Sequence, residues 1–279
     1  MKQETVLEKL IAFATERADV RSVVLNGSLV NPHIAPDRFQ DVDVTFFVLD
    51  VAAFIMDRSW IDRFGDVLIM QTPDESPSQT RYERFAFLVQ FAAGHRIDLT
   101  VRPVRVVREA IAEDSLSLVM LDKDDTAGRP VPSDETYRVK RPSAFDYATC
   151  WNEFWWVSLY VVKGLKRNQL LYALDHVTIM RDMLRQMMTW DVGYRTGFSA
   201  NIGKAGDALV DHLSDQAWQA CLQTYPVADS VAIAAAFNVL VEQFCVFSQR
   251  VSEAGGFSFQ EDEAKQIREA FSTLWNSND

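Results

Sequence analysis

Through the first 125 residues short apolar runs alternate with polar breaks, whereas beyond residue 142 apolar positions return every three or four residues. Residues 5–17 place Val6, Leu7, Leu10, Ile11 and Ala14 on one stripe, which predicts an amphipathic helix. Residues 22–25 read as a strand that breaks at Gly27 and Ser28, and residues 40–48 as a second strand in which Asp41 and Asp43 alternate with Val42 and Val44. Phe46, Phe47 and Val48 continue without polar alternation, so the far end of this strand is expected to be buried on both faces. Residues 51–64 read as a helix packed through Phe54, Trp60, Ile61 and Phe64 and ended by Gly65. A short strand at 67–70 and a polar loop at 72–81 follow, the loop being the best candidate in this half for a mobile element. Residues 85–91 and 95–102 form a hairpin across Ala92, Ala93 and Gly94; its second strand carries Asp98, and His95 at the turn reads as structural surface. Residues 106–113 read as a helix and 117–122 as a strand or short helix.

Between 126 and 142, Gly128, Pro130, Pro132, Ser133 and Pro142 interrupt all periodicity, which sets a boundary between a domain at 1–135 and another at 136–279. The second half reads as helices at 143–162, 169–190, 215–225, 230–251 and 261–275. The aromatic series Phe145, Trp151, Phe154, Trp155, Trp156 and Tyr160 is assigned to core or to an interdomain surface. In the following helix Asp175, Thr178, Asp182 and Arg185 share a polar face. The expected fold class is therefore an α/β (α+β) domain with a mixed sheet, followed by an all-α helical bundle.

Composition narrows the chemistry. A 279-residue chain with 48% hydrophobic and 24% charged residues has the make-up of an ordinary globular protein. The longest apolar run, near 154–162, is broken by Ser158, and the N-terminal MKQETVLEKL carries charges where a signal peptide would be apolar. No membrane and a cytoplasmic location are expected. Cys150, Cys221 and Cys245 lie far apart in apolar surroundings and read as reduced core residues. The net charge of −11 argues against nucleic acid as a partner and favours cations, including a positively charged second substrate.

Asp41 and Asp43, two apart on a strand, project from one face roughly 6–7 Å from each other. Such carboxylates repel unless a cation sits between them, and hard oxygen donors suit Mg²⁺. Gly27 and Ser28, just after a strand, offer backbone N–H groups and a hydroxyl to a phosphate tail. In RIDLTV, Asp98 projects from the polar face of another apolar strand. Together these features point to phosphoryl or nucleotidyl transfer.

The order strand, Gly-Ser, Asp-x-Asp strand, later strand with one Asp resembles the polymerase-β-like nucleotidyltransferases. The segments FQDVDVTFFV, RIDLTVRPV, VMLDKDD and KRPSAFDYATCWNEFWWVSLYVVKGLKRNQLLYALDH are similar to the aminoglycoside 6-adenylyltransferases, which modify streptomycin. The resemblance runs from about Leu10 to about Tyr225, weakens beyond, and is most specific between Asn152 and His176. It implies transfer of AMP from MgATP to a hydroxyl of the streptidine ring with release of pyrophosphate, in a cleft between a nucleotidyltransferase domain and a helical bundle. Asp41, Asp43 and Asp98 are then the catalytic and metal-binding set for one or two Mg²⁺, with Asp98 either a ligand or the base that accepts the hydroxyl proton. Gly27 and Ser28, with Lys163 and Lys204, are assigned to the ATP phosphates; Lys123, Lys166 and Arg167 are weaker candidates. Glu153, Asp175 and Asp182 would meet the guanidinium groups of the cationic drug. Pro32 shortens the helix that usually follows Gly-Ser in that superfamily. The alternatives are another acceptor, or a non-catalytic nucleotide-binding member; a monomer or weak homo-oligomer is expected.

Overall fold

Six strands make one mixed sheet: β1 (Val20–Asn26), β2 (Val42–Val48), β3 (Val67–Gln71), β4 (Phe85–Phe91), β5 (Arg96–Pro103) and β6 (Ser117–Asp122), in the order β3-β4-β5-β2-β1-β6. The computed structural model describes residues 3–276 apart from 77 and 80, and divides into two units, Met1–Thr136 and Tyr137–Asp279. Pro77 and Thr80, in the loop expected to be mobile, lie outside the described residues.

In the first unit β2 and β5 pair in parallel, and the other neighbouring strands pair antiparallel. The alternation of β5 and of the first half of β2 gives the sheet two unlike faces. Val42, Val44, Ile97, Leu99 and Val101 point to one side, where they join Val6, Leu10 and Phe13 of α1 (Gln3–Glu16), Phe54 of α2 (Val51–Met56), and Trp60 and Phe64. Each fully buried side chain of this size contributes about 1.5–3 kcal/mol, which fixes the strand register. Asp43, Thr45, Arg96, Asp98 and Thr100 point to the other side and are half-buried. There only a small apolar cluster, Val24, Phe47, Ala127 and Val107 of α3 (Val107–Glu113), covers one end. Phe47 on this second cluster and Phe46 on the main core bear out burial of both faces at the end of β2.

Two local expectations are corrected and one alternative is resolved. Residues 51–64 are not one helix: α2 stops at Asp57, whose carboxylate accepts from the Ser59 N–H and hydroxyl and starts a separate 3-10 helix, Ser59–Phe64. His95 is buried, 7% exposed, with its ring stacked on Phe91 at 4.6 Å. Burial holds its pKa below the ordinary histidine value. Residues 117–122 are a strand because they pair with β1.

The second unit contains α4 (Ala144–Lys166), α5 (Leu170–Arg195), α6 (Asp215–Gln223), α7 (Ser230–Gly255) and α8 (Glu261–Asn276). α4 begins at a capping box: Ser143 Oγ accepts from the Asp146 N–H and the Asp146 carboxylate accepts from the Ser143 N–H. Trp151, Phe154 and Trp155 of α4 are buried with Phe244 and Phe247 of α7 and Leu184 and Met187 of α5. Phe145 and Trp156, by contrast, are 78% and 59% exposed. Contrary to the expectation that no apolar run is long enough, α7 is long and apolar enough by length and composition to cross a bilayer. In this fold Ile233, Leu240, Phe244, Phe247 and Val251 of α7 are buried in the helical core. The three cysteines are free thiols; burial pushes Cys150 up to about 12.

Candidate active site

Parallel pairing of β2 with β5 puts Asp43 directly beside Asp98 and Thr45 beside Thr100. Neighbouring strands lie about 4.8 Å apart, and residues paired across them project from the same face. The strand expected from residue 40 begins only at Val42, so Asp41 lies just before β2; it comes within 3.4 Å of Arg96, whose side chain is on that face. The three acids expected to act together are thus brought to one side of two adjoining strands.

They do not close on one another. Among the described residues no group of three or more acidic, histidine or cysteine side chains is gathered as a metal-ligand cluster. The guanidinium of Arg96 stands among the carboxylates instead. Its Nε and Nη2 donate to the two oxygens of Asp98 at 2.7 and 2.8 Å, and its Nη1 lies 3.4 Å from Asp41 Oδ2. The hydrogen bonds to Asp98, with the charges of Asp98, Asp41 and Asp43, hold Arg96 above the ordinary guanidinium pKa against the opposing effect of burial. One positive charge therefore feels all three acids. The donor type suits a divalent cation: hard carboxylate oxygens from neighbouring strands, whose charge a guanidinium balances here. Arg96 was not foreseen as part of the site. Its signal was local, since Arg and Asp two apart on a strand must share a face.

The turn after β1 completes this edge. Residues Gly27–Val30 form a single 3-10 turn that ends at Asn31, before Pro32, so the helix after Gly-Ser is reduced as expected. Gly27 has φ +73°, and a Cβ there would lie 2.5 Å from Asp43 Oδ2. The glycine is needed both for the left-handed backbone and for the close approach of the carboxylate. Asn26, also not foreseen, anchors the turn: its Oδ1 accepts from Thr45 Oγ1 at 3.0 Å and its Nδ2 donates to Ser117 Oγ at 2.9 Å. Ser28 is half-buried on the turn itself.

The remaining candidates other than Lys123 lie on the helical unit. Lys163, in the last turn of α4, is exposed with its Nζ 5.5 Å from the Tyr160 ring centre. Lys204 is exposed at the start of a kinked 3-10 segment, Lys204–Asp211. Asp175 and Asp182 are exposed on α5 and Glu153 is half-buried on α4. Asp182 is paired with Arg185 at 2.7 Å, and Arg185 also donates to the Ala205 carbonyl, tying the Lys204 loop to that face. Lys123, on the first unit, is already engaged: its Nζ donates to the carbonyls of Ala14, Thr15 and Arg17 and caps the end of α1. Lys166 likewise donates to the Trp275 carbonyl.

A Gly-Ser turn closing β1, one acid just before β2 and a second on it, and a third beside the second on β5 define a nucleotidyltransferase domain. Comparison with known proteins narrows this. The profile of the streptomycin adenylyltransferase family matches residues 1–273, and the chain belongs to that family. The match includes the helices beyond Tyr225, where the resemblance had been expected to fade. Aminoglycoside 6-adenylyltransferase of Bacillus subtilis (strain 168) is 34% identical over 92% of each chain. Its counterpart from Campylobacter jejuni is 36% identical over 80% of this chain and 78% of its own. A solved structure, an aminoglycoside 6-adenyltransferase from Bacillus subtilis, is 30% identical and aligns over 99% of this chain and 100% of its own with a TM-score of 0.49.

Proposed function

We propose that this protein transfers AMP from MgATP to a hydroxyl of streptomycin, at the 6-position of its streptidine ring, and so inactivates the drug. The observation that carries the reading is the parallel register that sets Asp43 beside Asp98, with Gly27 closed against Asp43, in a chain of the streptomycin adenylyltransferase family.

Asp41, Asp43 and Asp98 would hold one or two Mg²⁺. Bound there, the metal neutralises charge that develops on the α-phosphate and the departing pyrophosphate. The chain supplies the rest. The Gly27 and Ser28 turn, with Lys163 and Lys204, takes the β- and γ-phosphates. The acceptor hydroxyl attacks the α-phosphorus, the bond to the bridging β-phosphate oxygen breaks, and the hydroxyl proton goes to Asp98 when that carboxylate is not itself serving as a metal ligand. Glu153 and Asp175 receive the drug's guanidinium groups through charge-assisted hydrogen bonds. Asp182 contributes only after exchanging its internal partner Arg185 for the drug. A reaction that consumes ATP belongs in the cytoplasm.

The test is mass spectrometry of streptomycin incubated with protein, ATP and Mg²⁺, alongside a panel of other aminoglycosides. Addition of one AMP to streptomycin with equimolar pyrophosphate is the expected result. An unmodified drug in the presence of folded protein refutes the reading, and modification of a different aminoglycoside alone refutes the acceptor.

A further inference from the structure

We infer that Arg96 is the resident counter-ion of the acidic site, holding the three carboxylates in place without metal and competing with a divalent cation for Asp98. The inference rests on the metal-dependent reading above. Three features support it. Arg96 takes both oxygens of Asp98 in a fork, so each carboxylate oxygen is already engaged by a charge-assisted hydrogen bond. The same guanidinium reaches Asp41 and is influenced by the charge of Asp43, so it balances all three acids at once. Its side chain is 37% exposed and rooted at the first residue of β5, so it can swing away without unpacking the core.

Two consequences follow for the nucleotide-free protein. A divalent cation competes with a bidentate pair for Asp98 and is repelled by the guanidinium charge, so binding of the metal alone is weakened. The three carboxylates do not repel one another open, because Arg96 stands between them. A nucleotide triphosphate arriving with its metal changes the balance, since its phosphate oxygens offer the displaced guanidinium a new partner of the same sign as Asp98.

The probe is Mn²⁺ alone, titrated into nucleotide-free wild-type protein, Arg96→Met and Arg96→Lys, and followed by calorimetry and by the electron paramagnetic resonance signal of free Mn²⁺. Arg96→Met is expected to bind Mn²⁺ more tightly by on the order of tenfold, because the competing charge-assisted pair is gone. Its metal-free melting temperature should fall and recover on adding Mn²⁺. Arg96→Lys, which keeps the charge and loses the fork, should lie between the two. Equal or weaker Mn²⁺ binding by Arg96→Met, in protein whose circular dichroism matches wild type, overturns the inference while leaving metal-dependent transfer intact. If neither wild type nor Arg96→Met binds Mn²⁺ and transfer proves independent of divalent metal, the inference falls together with the metal reading.

Discussion

Replacing Gly27 by alanine isolates the contact on which the geometry of the acids depends. Two costs can be separated. The backbone at φ +73° is left-handed, and alanine there costs about 1–2 kcal/mol. In a unit of this size that lowers the melting temperature by about 3–6 °C. The second cost is positional. The new Cβ would lie 2.5 Å from Asp43 Oδ2 and 3.2 Å from its Cγ, where ordinary van der Waals contact begins at 3.4 Å. The carboxylate must therefore retreat by about 1 Å, and a displacement of that size at a reacting centre costs about a hundredfold in rate. Gly94→Ala is the matched control, because Gly94 has φ +88° but a Cβ there meets nothing within 4 Å. Both variants should show a similar loss of melting temperature in differential scanning calorimetry, and only Gly27→Ala should lose turnover in a pyrophosphate-release assay. Turnover by Gly27→Ala within about threefold of Gly94→Ala would refute the argument that close approach to Asp43 matters.

Other substitutions probe separate parts of the molecule. Asp41→Asn should abolish AMP transfer while leaving far-ultraviolet circular dichroism and melting temperature near wild type; retained transfer counts against a catalytic role. Lys123→Met should destabilise the protein by about 1–2 kcal/mol through loss of the α1 cap, with no change in KM for ATP; a raised KM would return Lys123 to the phosphate site. Gly193→Ala forces a methyl to within 2.7 Å of Phe198 and 2.8 Å of Val139, and urea denaturation should show a loss of about 1–3 kcal/mol. Burial raises Cys150 from 9.0 to about 12, so the protonated thiol is favoured by folding. That contribution is complete below pH 9 and is lost as the pH climbs toward 12. Alkaline melts should accordingly decline less steeply for Cys150→Ala, and a thiol reagent at pH 8 should leave native Cys150 unmodified.

Much of this protein was determined locally. The alternation of β2 and β5 decided which side chains face the core and which face solvent, because a strand repeats every two residues whatever lies beside it. The Ser143 and Asp146 pair marked the start of α4, and Pro32 limited the turn after Ser28, each through bonds or clashes within four residues. Which strands adjoin was decided only by the whole sheet. β5 lies beside β2 through a pairing of residues more than fifty positions apart, and that register, not the Asp-x-Asp spacing, puts Asp98 next to Asp43. Tertiary structure also chose the partners of the charged groups. Lys123 went to carbonyls more than a hundred residues earlier in the chain. Arg96, beside Asp98 by strand spacing, also reached Asp41, more than fifty positions earlier. A long charged side chain carries no local record of a partner distant in sequence, because packing elsewhere sets the position of the opposite group and the strength of an ion pair falls steeply with distance and solvent exposure. His95 shows the same limit: its place at a turn gave no sign that Phe91 and neighbouring residues would cover it.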